Sequence, residues 1–240
     1  MIDLHCHILP ELDDGARDLD DALGMAWQAE ADGIEAVCAT PHIRHDHDVR
    51  IRELPARLDQ LSVSVAAAGC RTRILAGGEV AAGALDRLDD DELARVSLGG
   101  SGRWILLEPA PGALDDSLDE AVHRLGERGF RALIAHPERH LAADLIERLR
   151  RLARQGALVQ ATADFLVQEP TRAGMLDLAR AGVIHTLGSD AHSSRAGRPV
   201  ALNAALRVLR TLPRLAPHVD WIGRVAPQAI VAGRELTPPF

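Results

Sequence analysis

Short apolar runs alternate with longer amphipathic stretches along the chain. Residues 1–5, 35–40, 73–77, 104–108, 132–135, 157–161 and 183–187 are almost continuously apolar, the pattern of parallel strands buried on both faces. Residues 18–31, 53–68, 116–128, 142–155, 171–181 and 201–212 carry apolar positions at helical spacing. Several of these stretches stop at a glycine (Gly33, Gly69, Gly129, Gly156 or Gly182), a common helix stop. Seven β-then-α units in succession predict a parallel sheet with right-handed crossovers. The periodicity alone fits either a closed barrel or an open doubly wound sheet. No linker, low-complexity segment or short-period repeat breaks the 240 residues, so one domain over 1–240 is expected.

The polar exceptions to this pattern fall at the strand ends. His5 and His7 follow the first strand, and His42 follows the second in Ala39-Thr40-Pro41-His42. Glu79 follows the third after Gly77-Gly78, Glu108 ends the fourth, and His136 follows the fifth in Ala135-His136-Pro137-Glu138-Arg139. Asp190 and His192 follow the seventh. In parallel α/β folds the carboxyl ends of the strands share one face, where active sites form. Six of the seven strands thus deliver His, Asp or Glu to one place.

Each residue alone has a plainer explanation. His-x-His pairs arise by chance, Glu79 or Asp190 can cap a helix, and Glu108 can be a solvated loop acid. Together they resist it, because carboxylates at the ends of apolar strands are costly unless paired or metal-bound. Pro41 and Pro137 stiffen the points where His42 and His136 are presented, and Gly77-Gly78 lets the backbone crowd in beside Glu79.

Nitrogen and oxygen donors predominate, which suits Mn, Fe, Zn or Co in a catalytic role. Strand alternation points Cys6 away from its two histidine neighbours. Eight candidates plus Asp13-Asp14 exceed one tetrahedral ion. They fit two or three ions with bridging carboxylates, an arrangement typical of phosphoester hydrolysis.

Composition narrows the setting. Apolar residues make up 47% of the chain, but with three Trp, three Phe and no Tyr the core must be built from Ala, Leu, Val and Ile. A formal charge of -8 disfavours a nucleic-acid or anionic-membrane partner. Three cysteines, Cys6, Cys38 and Cys70, without a C-x-x-C pair suggest a reduced, cytoplasmic compartment. No signal-peptide pattern and no 18-residue apolar run is present, so no membrane span is expected. Nothing in the sequence specifies an oligomeric state.

The run from Met1 through His5, His7, Asp13 and Asp14 to Gly15 resembles the PHP (polymerase and histidinol phosphatase) superfamily. It is closer still to the branch of bacterial manganese-dependent tyrosine-protein phosphatases of capsule and exopolysaccharide loci. Ala39-Thr40-Pro41-His42, Gly78-Glu79-Val80, Leu107-Glu108, Ala135-His136-Pro137-Glu138-Arg139 and Gly188-Ser189-Asp190-Ala191-His192 match that branch in order, over about the first 200 residues.

The resemblance implies a distorted (β/α)7 barrel with two to three divalent ions at its mouth, Mn2+ favoured and Fe or Zn as alternatives. By motif, one ion takes His5, His7, Glu79 and Asp190. A second shares Glu79 and adds Glu108 and His136. A third takes Asp14, with Asp13 as the alternative, together with His42 and His192. The implied reaction is in-line attack of a metal-bridging hydroxide on a phosphotyrosine protein, the tail of a bacterial tyrosine kinase of polysaccharide export. A small phosphate ester such as histidinol phosphate is the alternative substrate, and a non-catalytic metal-stabilised scaffold the alternative class.

Arg139 is the first candidate to bind the phosphoryl group, with Arg195 and Arg198 behind it. Asp3 is expected either to orient a histidine ligand or to be a strand-start acid, and His45 and His47 to line the mouth. An amidohydrolase also opens with His-x-His but typically relies on Lys, and all 27 basic residues here are Arg. None of the cysteines sits in a phosphate-cradling loop ending in Arg, which disfavours a thiolate phosphatase. Two departures from the branch stand out: Cys6 replaces the usual Ser, and Tyr is absent.

Overall fold

A computed structural model describes residues 1–140 and 142–240. The strands are β1 (Ile2–Cys6), β2 (Ala36–Ala39), β3 (His42–Ile43), β4 (Arg73–Leu75), β5 (Glu79–Ala81), β6 (Trp104–Glu108), β7 (Arg131–Ile134), β8 (Leu158–Thr162) and β9 (Thr186–Gly188). The helices are α1 (Leu19–Ala31), α2 (Leu54–Ala67), α3 (Asp90–Arg95), α4 (Asp116–Glu127), α5 (Leu145–Arg154), α6 (Arg172–Ala181), α7 (Asn203–Arg210) and α8 (Ala226–Val231). Every strand pairing is parallel, in the orders β1-β2-β4 and β3-β5-β6-β7-β8-β9.

Two of the expected strands are longer than their apolar runs and broken in the middle. β2 and β3 are halves of one course interrupted at Thr40-Pro41, where proline has no N–H to give the ladder. β4 and β5 are interrupted at residues 76–78, and the Glu79 N–H resumes pairing by donating to Pro41 O at 3.0 Å. A Cβ on Gly78 would stand 2.9 Å from Val96 Cβ and 3.0 Å from Ile43 Cγ1, so this close approach needs glycine. At the far edge, Asp190 N–H donates to His5 O (2.8 Å) and His7 N–H to Ala191 O (2.9 Å), linking the end of β9 to β1. The sheet is therefore curled, with the helices outside it.

Local chemistry sets the helix limits. The Asp18 side chain accepts from Asp21 N–H at 2.7 Å and starts α1, which buries Ala22, Met25, Ala26 and Ala29 on one face. Gly182, at φ 71°, ends α6 in the left-handed region. Helix α3 lies outside the expected set because its acidic first turn hides it. Asp89 and Glu92 form a reciprocal capping box there. The seventh strand pairs only from Thr186, three residues later than its apolar run begins.

Strand alternation divides the core in two. Ile105, Leu107, Ile134, Val159 and Cys6 face the helices, whereas Ile2, Leu4, Trp104, Leu106, Leu133 and Leu158 fill the inside of the curl. Ile230 and Leu236 pack into this inner cluster from the amino ends of the strands, and Trp104 Nε1–H donates to Arg234 O at 3.0 Å. The C-terminal segment thus plugs the base of the sheet and leaves the carboxyl ends clear. In β1 the pairing register shifts between Asp3 and Cys6. Leu4 can then lie in the inner cluster while the next residue, His5, also turns inward to Gln160.

His185, just before β9, carries a pH-dependent share of stability. Val159 N–H donates to its Nδ1 at 3.0 Å, which places the ring proton on Nε2. Burial pushes its pKa down to about 4. An unfolded chain protonates near the usual value of about 6.5, so the contribution is full above that pH and falls as pH drops toward 4. Between about pH 7 and pH 4, wild type is expected to lose about 2–3 kcal/mol relative to His185→Gln, which keeps an acceptor for Val159. Urea unfolding of both proteins across that range measures it, and parallel pH curves would contradict it.

Candidate metal centre

Every ligand candidate lies at the carboxyl end of the curled sheet. Four sets of donor atoms fall within 4.8 Å of one another. They are His5, His7 and Asp190; His5, Glu79 and His136; His42, Glu79 and Glu108; and His7, Asp14, His42 and His192. Glu79 is the hub. Its Oε1 is 2.7 Å from His136 Nε2 and 3.3 Å from His5 Nε2, and its Oε2 is 2.9 Å from His42 Nδ1 and 3.4 Å from His7 Nε2. His7 adjoins two of the groups that the family motif keeps separate, and His42 adjoins Glu79 and Glu108 as well as Asp14.

The two adjacent aspartates point to different places. Asp14 Oδ1 lies 3.3 Å from His42 Nε2 and 3.5 Å from His192 Nε2. Asp13 Oδ2 instead accepts from His7 Nδ1–H at 2.9 Å and from His42 N–H at 3.0 Å, so it holds two ligand candidates from behind. Gly15 permits this tight turn, since a Cβ there would stand 2.2 Å from His7 O. Among the described residues Asp3 touches no imidazole. Its Oδ1 accepts from the backbone of His5 (3.2 Å) and Ser189 (2.9 Å) and so fixes main chain rather than a ring. His5 is oriented by Gln160 Oε1, which accepts from its Nδ1 at 2.9 Å.

The electrostatics are those of imidazoles and carboxylates forced together. Burial pushes His7 down, but Asp13 and Glu79 outweigh it and hold it at about 10. Burial likewise opposes protonation of His42, which Asp14 and Glu79 nevertheless raise to about 9. Burial raises Glu79, yet His5, His136 and His42 draw it well below the usual carboxylate range. Asp190, also raised by burial, is brought to about 2 by His5, His7 and Arg198.

Even so, Glu79 Oε2, Glu108 Oε2, Asp190 Oδ1, His42 Nδ1 and His136 Nδ1 are buried without a hydrogen-bond partner among the described residues. His42 Nδ1 and Glu79 Oε2 approach to 2.9 Å without hydrogen-bond alignment. Each unsatisfied buried group costs about 1–3 kcal/mol, which a shared cation relieves. The donor set is all nitrogen and oxygen, which fits divalent Mn, Fe or Zn. His136 (φ 33°) and Asp190 (φ 51°) both hold left-handed backbone where they leave their strands.

The three candidate arginines separate. Arg139 and Arg198 each place Nη2 2.9 Å from Asp190 Oδ2, and Arg198 also grips Asp190 O at 2.7 and 2.9 Å. Arg195 stands apart in a two-pronged pair with Asp18, both contacts 2.9 Å, on the surface. Sequence reasoning missed Arg44, whose Nη1 is 3.3 Å from Glu108 Oε1 while Asp46 takes its other donors. It also missed Asp21, which accepts from the Ser193 hydroxyl and from the Ser194 hydroxyl and N–H, tying the loop after His192 to α1. His47 stacks on His42 with centroids 4.9 Å apart, and His45 is exposed beside the cluster.

Known proteins resemble this chain in sequence and fold. The chain is 33% identical over 203 residues to the tyrosine-protein phosphatase YwqE of Bacillus subtilis (strain 168), covering 80% of this chain and 78% of the relative. It is 23% identical over 175 residues to the tyrosine-protein phosphatase CpsB of Streptococcus agalactiae, covering 70% of each. A chain from the crystal structures of YwqE from Bacillus subtilis and CpsB from Streptococcus pneumoniae, metal-dependent tyrosine phosphatases, superposes with a TM-score of 0.82. That match has 28% identity and covers 99% of this chain and 96% of the other. With residues 1–213 matching the model of the CpsB/CapC family of capsular polysaccharide synthesis, the chain belongs to that family.

Proposed function

We propose that residues 1–240 form one metal-dependent tyrosine-protein phosphatase domain, a distorted (β/α)7 barrel of the PHP type. The observation that carries this is the convergence of His5, His7, Asp14, His42, Glu79, Glu108, His136, Asp190 and His192 on overlapping donor sets hinged on Glu79. These residues would hold two to three divalent ions, with Mn2+ favoured over Fe or Zn. Bound there, the ions supply Lewis acidity toward phosphoryl oxygens and activation of water near neutral pH.

The chain's own residues position the ester. Arg139 and Arg198 flank Asp190 Oδ2, which leaves Oδ1 to face the histidines, so their guanidinium groups can meet phosphoryl oxygens beside the cluster. Cys6 takes no part in this scheme: its thiol lies among the outward-facing core residues and burial pushes its pKa well up. The substrate is a phosphotyrosine protein, the tail of a bacterial tyrosine kinase of polysaccharide export, in the cytoplasm. Three free cysteines support that compartment. Among the described residues no helix is long and apolar enough to cross a membrane.

A metal-reconstituted assay tests this. Phosphotyrosine peptide, histidinol phosphate and a generic aryl phosphate are each offered with Mn2+, Zn2+ and Fe2+ separately. Turnover of the peptide and the aryl ester is expected with Mn2+, with histidinol phosphate slowest. Cys6→Ser should stay within about twofold of wild type, because a buried, protonated thiol is no nucleophile. Failure to hydrolyse any ester with any metal would sink the proposal.

A further inference from the structure

A groove leads away from the cluster at Glu108. Two cavities of about 240 and 390 Å3 share Arg44, His45, Ala84 and Arg87, and the smaller reaches Glu108. Glu108 is thus both a ligand candidate and the inner wall of the groove. Farther out the larger cavity runs past Arg50, Arg52 and Glu92.

The charges along this groove are unbalanced. Arg44 is satisfied by Asp46 and Glu108, and Arg50 lies within 4 Å of Asp48 and Glu53. Arg52 and Arg87 have no carboxylate within 4 Å among the described residues. The nearby acids are engaged elsewhere. Glu92 Oε2 accepts from Asp89 N–H in the α3 capping box, Asp86 is taken by Arg124, and Asp90 is held by Arg128 at 2.7 Å. In a chain of formal charge -8, this strip gathers four arginines against two lining carboxylates, Glu92 and Glu108, and two of its guanidinium groups, those of Arg52 and Arg87, have no carboxylate partner among the described residues.

We infer that the groove binds acidic side chains flanking the phosphotyrosine of a peptide substrate. The inference rests on the phosphatase proposal above. A phosphate seated between Arg139 and Arg198 leaves the adjoining peptide to run past Glu108 into the strip, where Arg87 and Arg52 meet carboxylates. Arg87 lies at the end of the turn that follows β5, so the strand that places Glu79 also places this subsite.

Two fluorescein-labelled phosphotyrosine peptides test it, identical except that the flanking positions are Glu in one and Gln in the other. With Mn2+-loaded wild type at low salt, the Glu peptide is expected to show about a 5- to 10-fold higher kcat/KM and tighter binding by anisotropy. Added salt should shrink that gap. The double variant R52E/R87E should erase or reverse the preference while hydrolysing p-nitrophenyl phosphate like wild type. Equal handling of the two peptides by wild type overturns the inference. A preference that survives in R52E/R87E overturns its assignment to this groove. If no ester is hydrolysed, the phosphatase proposal fails, and charge-selective binding by anisotropy still decides the groove.

Discussion

Glu79→Gln is expected to lower kcat/KM for an aryl phosphate by about 10^3-fold or more, and to lower the metal content measured by elemental analysis with it. Both carboxylate oxygens of Glu79 face imidazoles: Oε1 faces His5 and His136, and Oε2 faces His7 and His42. An amide offers one weaker acceptor and turns an NH2 toward two imidazoles. The exchange also removes the buried negative charge that helps hold His7 and His42 protonated when no cation is bound. The swap is nearly isosteric, so the fold should persist by circular dichroism while metal and activity fall together. A variant that keeps its metal and its rate would show that Glu79 is not the shared ligand.

The second large effect is expected at the arginines. Arg139→Ala and Arg198→Ala should each cut kcat/KM by about 10^2-fold and weaken inhibition by inorganic phosphate about 10-fold, with metal content unchanged. Each removes one of two guanidinium groups on Asp190 Oδ2, so the buried carboxylate keeps a partner and the cluster keeps its shape. Arg195→Ala should stay within about twofold, because Arg195 is spent on Asp18 at the surface. Equal losses at all three would mean that general positive charge, rather than placement beside Asp190, governs phosphate binding.

The frame of the fold and the ligand candidates were legible because both follow from local rules. Apolar runs marked the strands, and a polar residue at the carboxyl end of such a run can face only the mouth of the sheet. The unread parts depend on contacts far apart in sequence. Gln160 behind His5 is 155 residues away, and Asp21 meets Ser194 across 173. Neither has a motif, since a buried amide or acid declares its partner only after folding. Arg44 sat in a polar segment, residues 42–47, whose spacing matches nothing periodic, yet β3 carries it to Glu108. Helix α3 was concealed by an acidic first turn that stabilises it once a capping box forms. The choice between Asp13 and Asp14 had no local answer either, because only the turn at Gly15 directs one to the mouth and the other behind His7.

His136 and Asp190 leave their strands with left-handed backbone, a conformation that costs residues with a side chain on the order of 1–3 kcal/mol each. Glycine would lower that cost and remove a ligand candidate. On the proposed ligand assignment these are two sprung joints whose strain would be offset as ions draw the side chains in, which would couple metal binding to folding. For such a protein the supply of the ion sets lifetime as well as turnover. When the ion is scarce the open forms that proteases find would become more populated, and the enzyme level would fall along with its activity.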